Sequence, residues 1–403
     1  MAGELNSILE TALSSAEASI AVLIVLFFGY WAQHIGWVDS KGEKQISRLC
    51  ITIFLPALLF TQIGPHASIS NLTDYGIIIV LSIFAMGVSY LVGLLMRRIL
   101  KGPRWTTAAF VFHNSNSLPL LLINSLEKTG TIRTIIGKHG GSVSDAVTRG
   151  RTYLLIVALV VNIFRFALGP EIMSPNDSSH RGTNGDVEQR DNHTERTPLL
   201  SSERVQDDAH QVWPVVKKTG KHVWSWIVGI LNPPLIAAIV AVLFGIIPPL
   251  RHSFFDNGRV LNATVTQGID YLGNLYTALQ IFVLGSKLRS KPGAKFPVAP
   301  AIALFFHRFF LMPAIMISVV YALRARWPNY IERDPMLDFV LSIIGIGPPA
   351  ITLAAISEMA ELDEQEDGQV ARILTIAYVI TPLICVPLSA TVYAVQQSGV
   401  ANH

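Results

Sequence analysis

The chain has 403 residues, of which 51% are hydrophobic and only 15% charged, and its mean hydropathy is positive. Soluble domains carry roughly 25% charged residues. Here the apolar residues gather in runs close to the ~20 needed to cross hydrocarbon, which argues against a soluble all-helical protein. The net charge of +3 is spread over loops and gives no basis for nucleic-acid binding.

Taken in chain order, the N-terminal MAGELNSILETALSSAEAS lacks a basic n-region, so no cleavable signal peptide is expected. Ten spans are predicted, at about 18–38, 46–63, 75–97, 104–126 and 149–168, then 224–249, 263–288, 296–323, 336–359 and 370–396. Cys50 and Cys385 fall inside apolar spans and read as small core residues, with no disulfide framework, metal site or cofactor motif implied. Between the fifth and sixth spans lies a polar stretch, 169–222, whose composition cannot bury a core and reads as disordered. The domain organisation expected is therefore 1–168, a loop at 169–222, and 223–403.

Lys and Arg in the loops set the orientation. With the N-terminus outside, 19 fall on the cytoplasmic side and 10 on the other. Both termini are thus expected to be lumenal or extracellular, and the long loop cytoplasmic. Five spans per half is an odd number, so the second half enters the membrane inverted. That is the plan of an inverted-repeat transporter.

The fourth span is interrupted by HNSNSLPL: His113, Asn114, Ser115, Asn116, Ser117, Leu118, Pro119 and Leu120. Irregular backbone survives at membrane depth only where protein covers it or a wet cavity adjoins it. The ninth span carries a matching interruption at Gly345, Gly347, Pro348 and Pro349, followed by Ala350. Paired breaks in corresponding spans point to a substrate site near the midplane. Pro119, and Pro348 or Pro349, suit the first turn of a new half-helix, whose positive end favours an anion such as a carboxylate. The Asn and Ser side chains add donors without a full charge. A proline kink held by neighbouring helices is the plain alternative.

At these residues the sequence resembles the auxin efflux carrier family, the PIN-FORMED and PIN-LIKES proteins. HNSNSLPL is similar to the family's Asn-rich break, GIGPPAITL to its Gly/Pro break, FLPALLF (54–60) to its second-span signature, and LQIFVLGSKL (279–288) to the end of its seventh span. The Asn-Ser-Asn-Ser order is closest to the PIN-LIKES and fungal branches. The resemblance implies an all-α polytopic membrane protein with a bile-acid-transporter/NhaA-like fold. It implies ten transmembrane helices in two inverted five-helix repeats, with broken, crossing helices 4 and 9. Helices 1, 2, 6 and 7 would form a scaffold and homodimer interface, and helices 3–5 and 8–10 a moving transport domain. The substrates implied are organic monocarboxylates, indole-3-acetate above all, and the residence implied is the endoplasmic reticulum membrane, with plasma or vacuolar membrane as alternatives. Asn114 matches the family Asn beside the substrate carboxylate. Ser117 stands where a second family Asn precedes Leu-Pro.

The candidate substrate-binding residues are accordingly Asn114, Ser115, Asn116, Ser117, Pro119, Gly347, Pro348, Pro349 and Ala350. His113, His307 and Arg308 are candidates for gating or proton coupling, since an intramembrane Arg is a functional candidate by default and His titrates near neutrality. Arg308 pairing with helix-end carbonyls is the equal alternative. Arg165 sits near the expected end of the fifth span and reads as snorkelling to the surface. Glu358 reads as lying at the cytoplasmic end of the ninth span, beside ELDEQEDG, an acidic run that reads as a solvated loop. Glu195–Leu200 fits an acidic dileucine pattern, and Asn71 and Asn262 open glycosylation sequons. The readings left open are an exporter of a small organic anion, a sodium- or proton-coupled symporter, and a non-transporting ligand sensor. Without paired intramembrane aspartates or an HExxH motif, an intramembrane enzyme is disfavoured.

Overall fold

A computed structural model describes residues 2–67, 76–115, 117–137, 141–174, 232–290, 296–327 and 334–397. The elements are α1 Ala2–His34, α2 Ser40–His66, α3 Gly76–Leu100, α4 Trp105–Val111, α5 Ser117–Lys128, α6 Thr131–Ile136 and α7 Val143–Met173. They continue with α8 Pro233–Ile246, α9 Pro248–Phe255, α10 Gln267–Ser290, α11 Val298–Arg326, α12 Pro335–Ile343, α13 Leu353–Met359 and α14 Glu364–Gln397. Among the described residues no sheet forms, and one isolated backbone bridge is the only strand-like pairing.

Five helices, α2, α3, α7, α11 and α14, are long and apolar enough to cross a membrane. The pair α8 and α9, bent by 106°, makes a sixth if it is counted as one span. Pro248 and Pro249 cause that bend, because neither supplies the amide that would continue α8. On α3, Val80, Leu91, Leu95 and Ile99 are each more than half exposed, a surface suited to lipid rather than water. The protein is a multi-pass membrane protein.

Segments 104–126 and 336–359 are each two short helices flanking a non-helical break, as the sequence indicated. Two other expectations need correction. The fifth span does not stop near 168: α7 runs through Pro170 to Met173, where Ser174 N–H reaches back to Pro170 O at 2.8 Å. The acidic run is not a solvated loop throughout, because Asp363 caps α14 by accepting from Glu366 N–H at 2.7 Å and Asp367 lies within its first turn. Of the long polar stretch, 175–222 lies outside the described residues, as do the dileucine-like 195–200 and the Asn71 sequon. The Asn262 side chain is engaged, donating to Phe254 O at 2.8 Å.

The helices pack in two groups. In the first, α1 lies along α10, and α2 packs on both α8 and α10. In the second, α3 packs on α4 and α7, and α12 packs on α7, α11 and α14. All residues of α4 and of α12 are buried, so both half-helices lie deep in the second group and are apolar nearly all round. Ionic contacts pin α12: Asp338 receives a two-pronged contact from Arg324, Nη2 to Oδ1 at 2.7 Å and Nε to Oδ2 at 2.9 Å. Asp334 caps it, accepting from Met336 N–H at 3.0 Å, Arg149 Nε at 2.9 Å and Tyr153 OH at 2.7 Å.

In the first group, α1 and α10 meet backbone to backbone. A Cβ at Gly29 would overlap the carbonyl of Phe282, and one at Gly285 the carbonyl of Leu26. Small residues permit such close crossings in membranes, where dispersion rather than water drives association. Gly285→Val is expected to force the helices apart and to destabilise by about 2–3 kcal/mol, read as a lowered Tm of purified protein. An unchanged Tm would show that α1 does not need this crossing.

Candidate functional site

Sequence forces a break in each of the two half-helix pairs, and the breaks then satisfy one another. Past Val111 the chain turns extended at Phe112 (φ −96°, ψ 94°). It lies antiparallel to the second break, with His113 opposite Pro349. Asn114 N–H donates to Pro348 O at 2.9 Å, and Ala350 N–H donates to Phe112 O at 3.0 Å. In this pattern the two facing residues use neither amide nor carbonyl in the pair. Proline's missing donor at 349 therefore costs nothing there. Gly345 (φ 84°) and Gly347 (φ 98°) adopt backbone conformations that side chains disfavour, letting the second break turn into line.

Two fully buried guanidiniums hold the carbonyls this leaves over. Arg308 donates Nη1 to Gly345 O at 2.9 Å, in the second break, and Nη2 to Ala109 O at 3.0 Å, in the last turn of α4, tying both broken spans to α11. It sits in a wide, π-helical turn, His307–Leu311, a feature frequent at functional sites. Arg165 donates Nη2 to His113 O at 2.7 Å and to Ser115 Oγ at 3.3 Å, and Nη1 to Asn162 Oδ1 at 2.7 Å. Snorkelling is thus overturned for Arg165, which is 2% exposed. The extra turn and a half of α7 places it deeper than the expected helix end suggested.

Beside the crossover lies a cavity of about 330 Å³, at the small end of the ~300–1,000 Å³ usual for small-molecule sites. Asn114, Ser115 and Ala350 line it from the breaks, Asn162 and Arg165 from α7, Gln62 and His66 from α2, and Tyr276 from α10. Leu58, Leu120, Leu154, Leu159 and Ile351 make an apolar wall, and no described carboxylate reaches it. Three buried polar atoms of lining residues have no hydrogen-bond partner among the described residues: Arg165 Nε, Tyr276 OH and Thr352 Oγ1. All three are donors or have a donor to give. Arg308 Nε and His307 Nδ1 are also unpartnered, but neither residue lines the cavity.

The remaining expected residues separate cleanly. His113 faces Pro349 across the bridge and gives its carbonyl to Arg165, and Pro119 sits in the first turn of α5. Gly347, Pro348 and Pro349 shape the second break. Asn116 lies outside the described residues, and of Ser117 only its place at the start of α5 is described. Pro348 and Pro349 do not open the second half-helix: α13 starts at Leu353, after a turn, and has only 7 residues. Attraction for an anion therefore rests on side chains more than on a second helix end. His307 is packed, with Nε2 3.1 Å from Ser89 Oγ and its ring 5.2 Å from that of Phe110.

Comparison with known proteins decides the family. The profile described as membrane transport protein matches residues 14–388. This chain belongs to that family, the family of the PIN-type auxin efflux carriers. It is similar to an uncharacterized transporter of Saccharomyces cerevisiae, 26% identical over 94% of this chain and 95% of the relative. An uncharacterized transporter of Schizosaccharomyces pombe is 25% identical over 88% and 89%. Protein PIN-LIKES 2 of Arabidopsis thaliana is 21% identical over 89% of each chain. The fungal and PIN-LIKES resemblance drawn from the breaks thus extends along nearly the whole sequence.

Arg308→Leu is expected to release the Ala109 and Gly345 carbonyls and to destabilise by about 3 kcal/mol, since each bond to a charged donor contributes ~1.5–3. Arg308→Lys, which can reach one carbonyl, should lose roughly half as much. Chemical or thermal denaturation of the purified variants measures this, and an unaffected Leu variant would remove Arg308 from the framework of the crossover.

Proposed function

We propose that this family member is a secondary carrier of small organic monocarboxylates with an apolar body, of which indole-3-acetate is the type. The observation that carries the reading is the donor set: Arg165 Nε, Tyr276 OH and Thr352 Oγ1 converge on one cavity and lack partners among the described residues. Buried donors left unmatched cost free energy, and a carboxylate would satisfy them. The guanidinium supplies charge, the Asn114 and Ser115 side chains flank it, and the leucine wall suits a ring or alkyl chain. With an arginine and no described carboxylate in the lining, the charge balance of the cavity favours an anion.

In this reading the ten segments form two inverted five-span halves, with α4–α5 and α12–α13 as the broken spans. The first packing group serves as scaffold and dimer interface, and the second moves as a transport domain in an elevator-type cycle. Export runs from the cytosol across the endoplasmic reticulum membrane, with both termini lumenal. That relatives in Arabidopsis thaliana are PIN-LIKES proteins supports the comparison. The family being one of transporters favours carriage over catalysis or sensing.

A thermal-shift screen of small carboxylates on purified protein, followed by radiolabelled flux in proteoliposomes, tests the reading. Arg165→Gln is expected to weaken carboxylate affinity ten- to a hundredfold, equivalent to about 1.4–2.8 kcal/mol, and Arg165→Lys to restore part of it. Asn114→Ala should weaken it by a smaller factor while the protein stays folded. Wild-type affinity and flux in both variants would refute the site.

A further inference from the structure

The cavity is lined by residues from the Gly76 end of the fold: His66 ends α2, and Tyr276 lies in the first half of α10. At the opposite ends of these helices the two packing groups are joined by ions. Lys287, near the end of α10, is 4% exposed. Its Nζ lies 2.8 Å from Asp367 Oδ2 in the first turn of α14 and 3.3 Å from Glu358 Oε2 in the last turn of α13. Ser47 of α2 donates to Glu358 through a short bond, and Ser357 donates to Asp367 Oδ1 at 2.8 Å. Ser286 donates to Glu43 Oε2 at 2.8 Å. The charged or titratable groups facing this cluster are Glu43 on α2, Lys287 on α10, Glu358 on α13 and Asp367 on α14, with the Cys50 thiol of α2 near Glu358.

The distribution across the boundary is uneven. The ammonium belongs to the first helix group, and both carboxylates that share it belong to the second. Sliding one group past the other separates Lys287 from Glu358 and Asp367, leaves it with Glu43 of its own group, and leaves the two partly buried carboxylates without their cation. A proton relieves the carboxylate side directly: –COO⁻ and H⁺ become –COOH, and the neutral acid no longer holds Lys287.

We infer that Lys287, Glu358 and Asp367 form a proton-binding latch that shuts the mouth opposite the cavity. Opening takes up protons from the solvent on that side, and closing returns them. The cavity is lined from the far side of the crossover while the latch is shut, which is the pairing a gate requires. The inference rests on the proposal that the two groups move relative to each other.

Spin labels test it in full-length protein. Lys41→Cys on α2 and Gln365→Cys on α14, both exposed, are labelled in a Cys50→Ala, Cys385→Ala background, and their separation is measured by pulsed electron resonance in lipid discs. At about pH 7.5 one short-distance population is expected, and as the pH is lowered a longer one should rise severalfold. Lys287→Met should show the longer population at high and low pH alike. Glu358→Gln with Asp367→Asn should do the same and lose its pH response, while Lys287→Arg keeps it. A wild-type distribution that ignores pH overturns the latch without any variant having to fold. So does a monodisperse Lys287→Met protein that stays short. No substrate enters the measurement. A responsive latch in a protein that neither binds nor moves a carboxylate would therefore overturn the transport reading and leave the latch standing.

Discussion

The backbone pairing between the two breaks is the constraint on which the rest depends. In hydrocarbon an unsatisfied amide or carbonyl costs several kcal/mol, and every helix end leaves up to four of them. Two interrupted spans side by side multiply that debt at the worst depth. Here Asn114 N–H with Pro348 O, and Ala350 N–H with Phe112 O, remove part of it. Arg308 and Arg165 remove more by taking the carbonyls of Ala109, Gly345 and His113. The crossover is therefore a fastened joint rather than two loose kinks, and the uniform burial of α4 and α12 follows from the need to keep lipid away from it.

The two arginines do different work with the same chemistry. Arg308 commits both terminal nitrogens to backbone carbonyls, one at the end of α4 and one in the second break, and stays out of the cavity. Arg165 commits its terminal nitrogens as well, but its Nε belongs to a side chain that lines the cavity. One guanidinium thus builds the joint, and the other joins it to the place where a ligand would sit. The family to which the chain belongs is a transporter family, and the joint places a polar site inside otherwise apolar spans.

Much of this was legible in the sequence, for a physical reason. Polar residues and prolines inside apolar runs have few tolerable explanations in a bilayer, so HNSNSLPL and GIGPP identified both breaks and their partnership. Arg165 was misread because its depth depends on where α7 ends, and Pro170, an apparent stop, lies inside the helix. Asp367 was misread because a run of acids looks solvated until its counter-charge is known. That counter-charge, Lys287, comes from a different helix, α10. The start of α13 was misplaced because proline's preference for a first turn yielded to the bridge, which uses Pro349 as a strand residue. In each case a contact between distant segments outweighed a sound local rule.

The fixed charge of Arg165 has an electrical consequence. In the proposed cycle this guanidinium travels with the moving half, and a bound monoanion subtracts one positive charge from the travelling body. A membrane potential does about 2.3 kcal/mol of work per elementary charge per 100 mV. Voltage therefore acts more strongly on the empty carrier's return than on its loaded stroke, and the resting polarity of the membrane biases which way the vacant form waits.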